Sequence, residues 1–174
     1  MERNVTTPAI VVMGVSGSGK TTVGQLLADR LRVPFVDADD LHPPANRAKM
    51  AGGTPLTDDD RAPWLEAVGR AMSAADGGVV VACSALRRRY RDTIAAAAER
   101  PVRFAHLAGP EALLHERMAA REHFMPPALL RSQLDTLEPL DPAEPGRSFA
   151  TAEEPAYIAS RIHDWITTEK DAAA

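Results

Sequence analysis

The stretch Gly14-Val15-Ser16-Gly17-Ser18-Gly19-Lys20-Thr21 constrains this chain more than any other, because it meets the pattern G-x-x-x-x-G-K-[ST] at every fixed position. A short apolar run suited to a buried strand, Ala9 to Met13, comes before it, and Val23, Leu26, Leu27 and Leu31 follow at helical spacing. Strand, loop and helix in that order make a cradle for phosphate. Glycines let the backbone approach anionic oxygens, while successive N–H groups and the positive end of the next helix face the charge. The expected nucleotide-binding residues are therefore Gly14, Val15, Ser16, Gly17, Ser18, Gly19, Lys20, Thr21 and Thr22. Lys20 is expected to reach the β- and γ-phosphates of a nucleoside triphosphate, and Thr21 to offer its hydroxyl to Mg²⁺.

The 174 residues suffice for one domain with one core. A net charge of −4, from 20 Lys plus Arg against 24 Asp plus Glu, argues against a general affinity for nucleic acid or acidic membranes. The single cysteine, Cys83, lies in an apolar run and reads as a buried, inert thiol, which fits a reducing cytoplasm. No charged-then-apolar leader opens the sequence, and Ala9 to Met13 is too short to span a bilayer, so a cytoplasmic protein is expected.

Strand signals at Ala9–Met13, Pro34–Val36, Val79–Cys83, Pro101–Leu107 and Ser148–Ala150 alternate with helical patterns. The spacing predicts helices over Thr22–Leu31, Asn46–Ala51, Asp58–Ala75, Ser84–Ala98, Pro110–Ala120, Pro127–Leu137 and Pro155–Thr168. The fold class expected is α/β: a parallel five-stranded sheet with helices on both faces. Thr57 reads as an N-cap, with Asp58, Asp59 and Asp60 in the first turn against the helix dipole. Proline and glycine mark an insertion at about 40–76, and a break at His123-Phe124-Met125-Pro126-Pro127 marks a lid at about 117–127.

A phosphate loop by itself does not separate kinases, GTPases and motor ATPases. The chain has no N-K-x-D guanine reader and no D-x-x-G, and Val79–Cys83 runs into Ser84 without a Walker B acid. A small kinase needs only a core, an acceptor-binding insertion and a lid, and Asp37 and Asp39 emerge at a strand's carboxyl end, where open α/β sheets bind ligands. The combination of Met13 to Lys20, Asp39-Asp40-Leu41-His42-Pro43, Asn46, Lys49-Met50, Pro55 to Arg61, Pro63-Trp64-Leu65, Cys83 to Arg87 and Tyr90-Arg91-Asp92 resembles the gluconate kinase family. So do Arg117, Arg121, His123-Phe124 and the segment Gln133 to Glu138. The resemblance runs from about Ile10 to Glu138 and implies a P-loop kinase fold, ATP as co-substrate, Mg²⁺, and transfer to D-gluconate giving 6-phosphogluconate. It also implies a homodimer. Where the family usually has D-G-D, this sequence reads Asp37-Ala38-Asp39.

Phosphoryl transfer needs positioning and charge stabilisation more than covalent chemistry. Asp39 is the candidate to accept or orient the acceptor hydroxyl proton, and Asp37 to hold Mg²⁺ with Thr21, unless the acids are only a solvated turn. A polyhydroxylated carboxylate calls for cationic donors, for which Arg61, Arg87 and Arg91 are the candidates; Arg87 and Arg91 are four apart and share a face of the expected helix. His42, Asn46 and Ser84 are candidate hydroxyl partners, and Trp64 is either a pocket wall or core. Arg117 and Arg121, also four apart, are candidate phosphate-facing arginines of the lid, or surface partners of Glu116 and Glu122. His106, His115 and His163 lack metal-ligand spacing. The rival readings are a kinase for another acceptor, such as shikimate or a nucleoside monophosphate, and an ATP-binding regulatory module without transfer.

Overall fold

The computed structural model of the chain describes residues 8–120 and 127–172. At its centre lies β1 (Ala9–Met13), every residue of which is buried. A strand with no polar face needs apolar cover on both sides and a pairing strand at each edge. Parallel β3 (Val79–Ala82) supplies one edge, setting Ile10 beside Val80, and parallel β4 (Val102–Ala108) the other, setting Val11 beside Phe104. With β2 (Phe35–Asp37) and β5 (Gly146–Ala150) outermost, the sheet runs β2-β3-β1-β4-β5 and every pair is parallel.

The period of two along β1 divides the core. Val11 and Met13 face Trp64, Val68 and Met72 of α3 (Asp58–Ala74) and Ile94 of α4 (Arg88–Ala98). Ile10 and Val12 face Val23 and Leu27 of α1 (Lys20–Leu31) and Ile158 and Ile162 of α7 (Pro155–Ala172). Full burial of each such side chain contributes about 1.5–3 kcal/mol. A third, smaller cluster joins Val15 and Leu86 to Leu114 and Met118 of α5 (Glu111–Ala119) and Leu130 of α6 (Pro127–Thr136). Helices α3 and α4 approach so closely that a side chain at Gly69 would start 2.5 Å from Ala97 Cβ and 2.6 Å from Ile94 O.

Thr57 caps α3 as expected: its Oγ1 accepts the Asp60 N–H at 3.1 Å, and Asp60 Oδ2 accepts the Thr57 N–H at 2.9 Å. The short α2 (Pro44–Ala51) precedes it. Burial pushes the Cys83 thiol up to about 12, so it stays protonated at neutral pH. Among the described residues no helix is long and apolar enough to cross a membrane.

A departure from the expected elements occurs at α4. The helix expected from Ser84 starts at Arg88. Cys83 N–H still donates to Val12 O and Gly14 N–H to Ser84 O, which holds the chain extended beyond β3, and Ala85 then turns with φ +46°. Arg87 is consequently the extended N-cap of α4 and shares no helical face with Arg91. Arg91 itself is not an acceptor-facing cation. Its side chain is 1% exposed, its Nε donates to Glu144 Oε1 at 2.6 Å, and its remaining N–H groups serve Glu144 Oε2 and the carbonyls of Ala85, Glu138 and Pro139. A buried guanidinium needs this much compensation, and here it ties the loop before β5 to the loop after β3. Removing only the acid leaves that charge uncompensated, so Glu144→Ala is expected to cost about 3–5 kcal/mol in denaturant unfolding. A loss under about 1 kcal/mol would mean the pair holds nothing together.

Candidate active site

The phosphate loop leaves β1 at the middle of the sheet, with β3 on one side and β4 on the other, which is the switch point where such sheets bind ligands. Gly14, Gly17 and Gly19 adopt φ values of +150°, +81° and +91°. Beyond its backbone angle, Gly14 has no room for a side chain: a Cβ there would lie 2.8 Å from Ser18 Oγ and 2.9 Å from Leu107 O. Ser18 is buried, and its hydroxyl has no partner among the described residues.

The start of α1 differs from that of α3 in the respect that matters for an anion. Whereas α3 is capped by Thr57 and carries three acids in its first turn, α1 has Gly19 as N-cap, no capping side chain and no first-turn acid. A helix twelve residues long therefore presents its positive end without an internal counter-charge, behind a loop built for close approach. Thr21 and Thr22 are exposed on that turn. Lys20 folds across the loop, its Nζ donating to Val15 O at 3.1 Å.

Acidic groups stand on the β2 side. Asp37 ends β2 and caps the 3₁₀ turn Ala38–Leu41, its Oδ1 accepting the Asp39 N–H at 3.0 Å. Burial and the neighbouring Asp37 charge raise the Asp39 carboxyl above its usual range, outweighing Lys20 and His42, which lower it. The fit to a magnesium nucleotide follows from this donor set. Among the described residues no group of three or more His, Cys, Asp or Glu could hold a metal alone, whereas one hydroxyl and one carboxylate, Thr21 and Asp37, suit an ion that arrives with its phosphates.

The next wall comes from the segment between β2 and α3. His42 stacks on Trp64 with ring centroids 4.1 Å apart and planes 15° from parallel. Trp64 belongs to the core: it is 5% exposed, and its Nε1 donates to Ala38 O at 2.7 Å. Buried Asn46 gives its amide hydrogens to Asp60 O at 2.9 Å and His42 Nδ1 at 3.3 Å. Burial holds the His42 pKa down, and the neutral ring carries its proton on Nε2. Lys49 donates to Asp60 Oδ2 at 2.7 Å, and together with the Thr57 N–H this lowers the Asp60 carboxyl to about 2.

Sequence reasoning did not find the hub of the cationic wall. Asp58, expected only as a dipole acid, lies 3.7 Å from Arg61 and 3.9 Å from Arg87, pairs with Arg89, and accepts from Tyr90 Oη at 2.5 Å. These contacts, the Tyr90 hydrogen bond first, pull its pKa down. Arg61 also donates to Leu56 O and sits 5.5 Å above the Tyr90 ring. Two of the three expected cations, Arg61 and Arg87, thus meet at one place, with Ser84 on the loop that leads to it.

Arg117 lies on the opposite side of the phosphate loop, next to a residue the sequence did not flag. Its two terminal nitrogens donate to Thr151 Oγ1 and Thr151 O, both at 2.6 Å, and Thr151 Oγ1 donates in turn to Ser18 O at 2.6 Å. Thr151 is fully buried. The one available signal was its position just beyond a strand's carboxyl end. Arg121 and the break from His123 to Pro126 lie outside the described residues.

A phosphate loop at the switch point, a carboxylate with a raised pKa beside it and a cationic wall beyond define a P-loop kinase. Residues 10–140 match the family described as AAA domain. The chain is 50% identical over 133 residues to the gluconokinase of Gluconobacter oxydans (strain 621H), covering 74% of each, and 37% identical over 181 residues to that of Arabidopsis thaliana, covering 95% of each. It superposes on the crystal structure of a gluconokinase from Sinorhizobium meliloti 1021 with a TM-score of 0.82 at 42% identity, over 94% of this chain and 98% of that one. The chain belongs to the gluconokinase family.

Thr151 offers a direct check on the nucleotide side. Thr151→Val, nearly the same shape, removes the hydroxyl that serves both Arg117 and Ser18, and the KM for ATP should rise about tenfold, the worth of roughly one hydrogen bond to a charged group. Thr151→Ser should restore it. An unchanged ATP dependence in the valine variant would separate Thr151 from nucleotide binding.

Proposed function

We propose that this chain transfers the γ-phosphoryl group of ATP to the 6-hydroxyl of D-gluconate, giving ADP and 6-phosphogluconate. The reading rests above all on one juxtaposition: an uncapped, uncompensated helix N-terminus behind the phosphate loop, with Asp39 on its β2 side and Arg61 and Arg87 beyond. In this mechanism the triphosphate lies on the loop and Lys20 leaves Val15 O for the β- and γ-phosphates. Thr21 and Asp37 would hold Mg²⁺ together with the phosphates, and the ion would supply charge neutralisation.

Arg61 and Arg87 receive the gluconate carboxylate, and Ser84, Asn46 and the Nε2–H of His42 orient its hydroxyls against the Trp64 wall. The 6-hydroxyl gives its proton to Asp39 as its oxygen bonds to the γ-phosphorus, and the bond to the β–γ bridging oxygen breaks to release ADP. A raised carboxyl pKa suits a proton acceptor. Arg117, and Arg121 beyond the described residues, add positive charge where the transferred group develops negative charge. Residues 40–76 act as the acceptor-binding insertion and 117–127 as the lid. The enzyme works in the cytoplasm as a homodimer.

A coupled assay with ATP, Mg²⁺ and gluconate tests the whole reading, with shikimate and nucleoside monophosphates as alternative acceptors. Gluconate should be preferred by at least about 100-fold in kcat/KM, since buried donors left unpaired penalise a wrong acceptor. Turnover on another acceptor alone would replace the substrate, and ATP binding without any product would favour a non-catalytic module.

For Asp39 the sign follows from its raised pKa. The acceptor must be ionised, so activity should fall as pH drops through a value above the ordinary carboxylate range of about 3.9. Asp39→Asn should retain ATP binding, lose at least ~100-fold in kcat and show no such acid limb; full activity would remove Asp39 from the mechanism. Arg61→Ala should raise the KM for gluconate about 10-fold or more while leaving that for ATP alone, and equal effects on both would argue against a carboxylate contact.

A further inference from the structure

Both substrates of a phosphoryl transfer are held by loops here, and loops need an external reference if two reacting atoms are to meet in line. The phosphate loop and the acceptor-side loop Cys83–Arg87 meet through the Gly14 N–H, which donates to Ser84 O at 3.3 Å, and through a cluster shared by Val15 and Leu86. A third segment touches both. From α6, Gln133 Oε1 accepts the Ser16 N–H of the phosphate loop at 2.7 Å. Five residues on, Glu138 N–H donates to Leu86 O at 2.7 Å, and Glu138 Oε2 accepts the Arg88 N–H at 2.9 Å.

Each contact fills a local deficiency. Ser16 N–H has its acceptor supplied from 117 residues away. Helix α4 has an arginine at its N-cap and no capping side chain of its own, so the Glu138 carboxylate caps it from a distance of fifty residues and places a negative charge on its positive end. Between the two polar ends, Leu130 is fully buried against Val15 and Leu86, one residue from each loop, with Leu134 and Leu137 alongside. The underside of the segment is thus apolar and its two ends are hydrogen-bonded.

We propose that Gln133 and Glu138 are positioning residues, the two ends of a strut that sets the phosphate loop in register with the loop bearing Ser84 and Arg87. The proposal rests on the assignment of that loop to the acceptor. Neither residue touches substrate. Their effect falls on the alignment of donor and acceptor, and so on kcat, more than on the occupancy of either site.

Gln133→Met keeps length and removes the acceptor; Glu138→Ala removes the cap, and Glu138→Gln retains a carbonyl oxygen for the Arg88 N–H. Gln133→Met and Glu138→Ala are each expected to lower kcat about 10- to 100-fold with both KM values within about threefold, and Glu138→Gln to recover most of the loss. The double variant should lose little more than the worse single one, because the ends act as one unit. An activity-independent arm reads one end while the other is cut. By amide hydrogen exchange, Glu138→Ala should speed exchange in the phosphate loop, and Gln133→Met should speed it at Leu86–Arg88.

Unchanged kcat in both single variants, or exchange that quickens only at the cut end, would overturn the strut, as would a Glu138→Gln variant no better than alanine. If the wild-type chain proves inactive on gluconate, the functional reading fails separately, and the exchange experiment still decides the strut.

Discussion

The structure depends on one electrostatic fact: a helix whose positive end has no counter-charge of its own stands at the end of the most deeply buried strand. β1 cannot shift, because every residue in it is packed on both faces and paired at both edges. α1 cannot tilt freely, because Val23 and Leu27 belong to the same core. The turn between them is thereby held in place, and its glycines take conformations other residues adopt only under strain. A polyanion completes what the chain leaves open at this point, whereas Thr57 and Asp60 complete it internally at α3.

Charge around that point is distributed by side. Toward β2 and β3 stand the carboxylates Asp37 and Asp39 and, further out, the arginines gathered by Asp58; toward β4 and β5 stands Arg117 on Thr151. The division follows from the sheet order, since β1 is central and its two neighbours carry different loops. Asp58 is the economical part of the design. One half-buried carboxylate keeps three like charges near one another, and a second carboxylate brought by a ligand would meet guanidinium groups already assembled.

Neutral packing does as much as charge. The His42–Trp64 stack, with Asn46 fixing the ring's tautomer and Ala38 O taking the indole N–H, makes a rigid wall from residues on three separate segments. Ala38, where the resembling family has glycine, is buried without strain in the turn. The buried Arg91–Glu144 pair plays a comparable part, tying the loop before β5 to the loop after β3 alongside the bond from Glu138 N–H to Leu86 O.

Read from the sequence alone, the five strands, their parallel order of appearance, the Thr57 cap and the phosphate loop were all available. Each is written within a few residues, as an apolar period, a capping side chain or a glycine spacing, and such signals act through covalent geometry and the next turn of chain. The fates of the arginines were not. At four-residue spacing Arg87 and Arg91 read as one helical face, yet one is a half-buried cap and the other a buried ion, because the Cys83 and Ser84 backbone pairs with Val12 and Gly14 and delays the helix. Arg117 finds Thr151 across 34 residues, Arg91 finds Glu144 across 53, and Ser16 finds Gln133 across 117. No local pattern encodes those meetings. They are decided by which loops the order β2-β3-β1-β4-β5 brings to the same end of the sheet, where a charged side chain must take the partner that the packing leaves within reach.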